Sequence, residues 1–127
     1  MPAFEKSSPA LIAVFDAAVP IDPRVERRKM FGHECAWVGG NMFTGLFADG
    51  LWVRLDETGQ HELLAAGGSP FAPMAGRVMR GYIVAPAAIV ANPAALRGWM
   101  ERGLEHTATL PPKQKKPPKR KTATGAG

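Results

Sequence analysis

The stretch FGHECAWVGGNMFTGLF, Phe31 to Phe47, decides how the chain reads. It holds His33, Glu34 and Cys35, with Gly39, Gly40 and Gly45 beyond them. Two accounts compete: a nucleophile or metal cluster followed by a phosphate loop, or two strands joined by a turn. A zinc-protease motif places a second histidine three residues after the glutamate, on a helix. That position is Trp37, in a strand-like context. A structural zinc site takes four ligands, and two are present. The run from Gly40 to Gly45 has the glycine spacing of a phosphate loop, but Lys and Ser/Thr must follow, and Leu46-Phe47 stand there instead. Strand alternation puts His33 and Cys35 on one face and Glu34 on the other. A thiol nucleophile also needs a base within hydrogen-bond reach and a group that orients the base. Side chains two apart on a strand splay, and no orienting group is evident. The structural account is preferred: a half-buried thiol beside a surface histidine at a strand start. A thiol enzyme using Cys35 and His33 is the remote alternative.

Working outward, the period of the chain changes on both sides of this stretch. Upstream, Ser8-Pro9 reads as a helix start, an N-cap followed by Pro at the first helical position. Leu11, Ile12, Phe15, Ala18 and Val19 share one helical face, and Pro20 and Pro23 end it. Val25 to Phe31 is a charged strand, Cys35 to Val38 a second, and Asn41 to Phe47 a third. Gly39-Gly40 supplies a turn with positive φ, and Asp49-Gly50 predicts a type I′ hairpin into a fourth strand, Leu51 to Leu55. Thr58 to Ala66 reads as a helix closed by Gly67-Gly68. SPFAPMAG is a loop, and Val78 to Val84 is a fifth strand. Asn92-Pro93 opens a last helix with a stripe of Leu96, Trp99, Met100, Leu104 and Thr107. On its wet side Arg97 and Glu101 are expected to pair. Gly98 and Gly103 each cost about 1 kcal/mol relative to Ala unless they permit close packing.

The order helix, four strands, helix, strand, helix predicts an α+β fold of two layers. A mostly antiparallel sheet of about five strands carries its helices on one face. The expected domain runs from 9 to 110, after a flexible leader at 1–8 and before a disordered tail at 111–127. The other face of the sheet is expected to be open. Trp52 and Tyr82, interleaved with Arg54 and Arg80, are the residues expected there, a composition that protein interfaces favour.

With 127 residues and 46% hydrophobic content, the chain fits one domain. One cysteine makes no internal disulfide, so a reducing compartment is expected. The apolar run Ala10 to Phe15 after Lys6 is cut short by Asp16, so no secretory leader is expected. The expected location is cytoplasmic, with no membrane association. Charge is concentrated at the end. Lys113, Lys115, Lys116, Lys119, Arg120 and Lys121 account for six of the sixteen basic residues, leaving ten against eleven acids, or −1, in the body. DNA or RNA contact through this tail is therefore a second functional expectation, and it is non-specific in kind. Asp56-Glu57 reads as a helix cap rather than a catalytic pair. Arg27-Arg28-Lys29 reads as a charged edge strand rather than a phosphate site. No metal, cofactor or small-molecule substrate is called for by these residues.

Several strings resemble the N-terminal domain of the TfoX/Sxy family over about residues 9–112. They are the Lys29-Met30-Phe31-Gly32 turn, Asn41-Met42-Phe43, Gly68-Ser69-Pro70-Phe71, Gly81-Tyr82, and the helix from Leu96 to Leu104 around Trp99. The resemblance implies a compact α+β domain with an antiparallel sheet and no established catalytic residues. Longer members are regulators of bacterial competence genes and carry a second, helix-rich C-terminal domain. Here a basic tail stands where that domain begins, and His33 stands where the family often has a second glycine. The function expected is a non-enzymatic, regulatory interaction module that meets a protein partner or a second copy of itself.

Overall fold

The computed structural model describes residues 8–30, 33–48, 50–72 and 78–111. The leader at 1–7, Phe31-Gly32, Asp49, 73–77 and the basic tail lie outside them. Among the described residues the elements run α1 (Pro9–Ala18), β1 (Val25–Met30), β2 (His33–Val38), β3 (Asn41–Phe47), β4 (Gly50–Arg54), α2 (Glu57–Ala65), β5 (Ser69–Pro70), β6 (Tyr82–Val84), α3 (Ala87–Val90) and α4 (Pro93–Ala108). The strands form one antiparallel sheet in the order β1-β2-β3-β4-β6-β5. The expected α+β architecture holds, with two short additions. Ser69-Pro70 bonds to β6, and Ala87–Val90 makes a turn of helix before α4.

The local chemistry explains the boundaries. The Ser8 hydroxyl accepts from the Leu11 N–H at 3.1 Å, Asp56 from Gly59 at 2.7 Å, and Asn92 from Ala95 at 3.2 Å. Each satisfies an orphan donor in the first helical turn. Gly67, at φ 112°, closes α2 in a conformation that side chains resist. Gly39 and Gly40, at φ 58° and 80°, make the β2–β3 turn with Val38 opposite Asn41. The next hairpin differs from expectation by one residue. Phe47 pairs with Gly50, and Ala48 takes φ 52°. Gly50 enters the strand instead of the turn.

Register sorts the sheet into two faces. Ala36, Val38, Thr44, Leu46, Leu51, Val53 and Ile83 point to the helix side, where they meet Phe15, Leu63, Leu96, Met100 and Leu104 in the main core. A bulge gives β3 one extra residue opposite Ala36-Trp37, which brings Phe43 into this core beside Thr44. The loop from α1 to β1 is held by charge. Asp22 accepts from the Arg24 side chain and backbone, which hold its carboxyl down to about 2. The same guanidinium reaches Glu105 on α4 at 2.9 Å. Arg97 does not make the expected pair with Glu101; it donates to the Ala17 carbonyl at 2.7 Å and ties α4 to the end of α1.

Candidate functional site

The face away from the helices is not the open surface expected. Trp52 is 1% exposed and Tyr82 9%. The reason is Phe71, the residue after β5, which lies against this face. The Phe71 N–H donates to the Tyr82 carbonyl at 3.1 Å, and Met79 N–H donates to the Phe71 carbonyl at 2.8 Å. These bonds bring Phe71 onto the Trp52 indole, stacked at 5.4 Å between ring centres. Tyr82 meets the same indole edge-on at 5.0 Å, and Phe47 meets Phe71 at 5.7 Å. With Cys35 they form a second, smaller core, flanked by Trp37, Met42, Phe47, Met79 and Val84. Two of the four residues expected to make an interface are thus structural. Arg54 lies over the Tyr82 ring at 5.3 Å. Burial pushes the Tyr82 phenol up from its ordinary range, and Arg54 beside it partly offsets that. Arg80 is exposed, in the turn before β6, because the expected strand from Val78 shrinks to Tyr82–Val84. Gly81, at φ 90°, breaks it.

The stretch around Cys35 takes its meaning from this second core. Register sets Gly45 between Cys35 on β2 and Trp52 on β4. A Cβ on Gly45 would lie 2.6 Å from Trp52 Cζ2 and 2.8 Å from Cys35 Sγ. The second glycine of the apparent phosphate loop is therefore the floor on which the indole rests. Cys35 has no exposed surface. His33, expected at the surface, is buried beside Phe47 with ring centres 5.1 Å apart. Burial lowers its pKa and favours the neutral imidazole. Among the described residues no three His, Cys, Asp or Glu side chains converge to hold a metal ion.

The cations of β1 are engaged by neighbouring acids. Arg27 packs over Phe15 at 5.1 Å and pairs with Asp16 and Glu34. Lys29 also reaches Glu34, at 3.9 Å. Arg28 stacks on Trp37 at 4.4 Å and lies 3.6 Å from Glu26. This is the charged edge strand of the sequence reading, with its cations already balanced.

What sequence reasoning missed lies at the other edge. A cleft of about 520 Å³ runs between α2 and β6, walled by Leu64, Val78 and Tyr82, with Glu57 and Arg80 at its rim. Leu64 is 39% and Val78 59% exposed, large apolar side chains left in water on either side of the cleft. Leu64 was legible as the apolar residue on the wet side of α2; Val78 was hidden by its assignment to a strand. The tail residues Lys113, Lys115, Lys116, Lys119, Arg120 and Lys121 lie outside the described residues. Before them, Asn41 donates to the Pro111 carbonyl at 3.2 Å. Among the described residues no helix is long and apolar enough to cross a membrane.

No curated protein matches the chain. The sequence model of the TfoX N-terminal domain matches residues 19–107, from the end of α1 to the last turn of α4. That segment contains the whole sheet and both sides of the α2–β6 cleft, and the chain belongs to the TfoX N-terminal domain family.

Proposed function

We propose that the chain is a non-enzymatic, cytoplasmic regulatory module that acts by binding a protein partner. Family membership supports a competence- or regulation-related role. The observation that carries the reading is the α2–β6 cleft. Its exposed Leu64 and Val78 supply apolar contact area, and Arg80 and Glu57 supply a charged rim, the composition of a protein interface. The thiol supports it from the other side. Cys35 lies beneath Trp52, in a core closed by Phe71, where a substrate has no access without opening that core. The Leu64→Glu/Val78→Glu variant is the test. Both positions are exposed, so its melting temperature stays near that of the native chain. Proteins retained from host extract by the native chain are expected to fall about tenfold or more on the variant. Equal retention removes the cleft from the function, and labelling of Cys35 in the folded state overturns the non-enzymatic reading.

A second reading rests on the six cations between Lys113 and Lys121. If all six neutralise DNA phosphates, the slope of log affinity against log salt approaches about −5. Truncation after Pro111 leaves a body of net charge −1 and is expected to abolish retention on a DNA column. Unchanged, salt-sensitive retention by the truncated chain excludes the tail.

A further inference from the structure

The two edges of the sheet are finished differently. β5 is two residues long, and one of them is Pro70, which has no N–H to offer a neighbouring strand. β1 is six residues long, and among the described residues it pairs only with β2. In an antiparallel ladder every second residue of such a strand aims its N–H and C=O away from its partner. An edge of that kind is a template for another strand unless something forbids it. In β1 the Val25 N–H is taken by the Asp22 carbonyl at 3.0 Å, and along the rest of the edge, among the described residues, charge stands in the way, in the order Val25-Glu26-Arg27-Arg28-Lys29.

We propose that this edge binds a second copy of the chain, β1 against β1, antiparallel across a two-fold axis that joins the two sheets into one. The charge order selects the register. A two-fold axis perpendicular to the sheet sets one residue opposite itself and keeps both helix layers on the same side. Centred on Arg28, it sets Arg27 against Lys29 twice. Centred on Glu26 or on Lys29, it sets that charge against its own copy and leaves no opposite-charge pair. Centred on Arg27, it sets Glu26 of each copy against Arg28 of the other, two opposite-charge pairs at cross-strand contact. Val25 then faces Lys29. The central Arg27 pair is the one like-charge contact, and it is neutralised within each chain: Arg27 lies over Phe15 and pairs with Asp16 and Glu34. Glu26 and Arg28 are 67% and 50% exposed and meet at only 3.6 Å within one strand, so both are available to re-pair. The Arg28 stem also keeps its stack on Trp37, which holds the guanidinium over the sheet beside the joint. The same charges that deter pairing in other registers favour it in this one.

The surface is distinct from the α2–β6 cleft, so this inference extends the protein-contact reading to self-association. The experiment is sedimentation equilibrium of the full chain and three variants over a concentration series. Glu26→Arg and Arg28→Glu each turn two attractive pairs into two like-charge pairs and are expected to weaken the dimer about tenfold. The double variant, Glu26→Arg with Arg28→Glu, restores opposite charges and is expected to return dimerisation to the native level. Both positions of change are exposed, and equal melting temperatures confirm that the monomers fold. A native chain that stays monomeric at millimolar concentration overturns the proposal, as does a dimer that the single variants leave intact or the double variant fails to restore. A monomer whose binding to host proteins still depends on Leu64 and Val78 discards the dimer and leaves the partner-binding reading standing.

Discussion

Replacing Trp52 with alanine is expected to destabilise the domain by about 3–5 kcal/mol, the range for removing a fully buried large aromatic side chain. The effect comes from what rests on the indole. Phe71 stacks on one side, Tyr82 meets it with the two rings nearly perpendicular, and Gly45 leaves room beneath it. Removing it opens a cavity under a cover that is held by backbone bonds to Tyr82 and Met79 and so collapses only in part. Trp52→Phe is expected to lose much less, because the indole Nε1 has no hydrogen-bond partner among the described residues and nothing polar is forfeited. Urea denaturation of the two variants measures both values. The result separates two roles for the far face. A Trp52 that served as an exposed contact would cost within about 0.5 kcal/mol on truncation. A loss below 1 kcal/mol would restore the open-face expectation that the burial of Trp52 contradicts.

The difference between those two expectations shows what was legible in the chain. Alternation in Leu51–Leu55 assigns Trp52 to the face opposite the main core, and the register agrees. Alternation says nothing about what covers that face. The cover comes from Phe71 and Met79, in a stretch read as a loop and a strand end, and it is set by the backbone bonds Phe71–Tyr82 and Phe71–Met79, which follow no local periodicity. Caps and turns were readable because each is a local event. Ser8, Asp56 and Asn92 bond to N–H groups three residues on, and Gly39-Gly40 turns within its own hairpin. The partner of Arg97 was not readable. Helical spacing offers Glu101, but packing of α1 brings the Ala17 carbonyl closer, from 80 residues away in sequence. The α2–β6 cleft failed for the same reason: its walls come from segments that meet only through the sheet.

Gly103→Ala is expected to cost about 3 kcal/mol, although alanine is the better helix former by about 1 kcal/mol. A Cβ at this position would come within 2.7 Å of Val53 Cγ1, 2.9 Å of the Arg54 carbonyl oxygen and 3.3 Å of the Phe43 carbonyl oxygen. Val53 is β-branched and fully buried, so its methyl has little freedom to turn aside. The two carbonyls belong to the sheet itself. Relief therefore requires α4 to lift from β3 and β4, which disturbs Leu96, Met100 and Leu104 together. Gly98 provides the control on the same helix. It lies five residues earlier, about 140° around the axis, and nothing stands within 4 Å of its would-be Cβ. Gly98→Ala is expected to raise stability by about 1 kcal/mol. One substitution at two sites of one helix thus carries opposite signs, a contrast that helix propensity alone does not produce. Thermal and urea unfolding of both variants read it directly. A Gly103→Ala variant as stable as the native chain would mean that α4 does not seat its glycine on the Val53-Arg54 backbone, and the close helix–sheet contact at the centre of the main core would have to be abandoned.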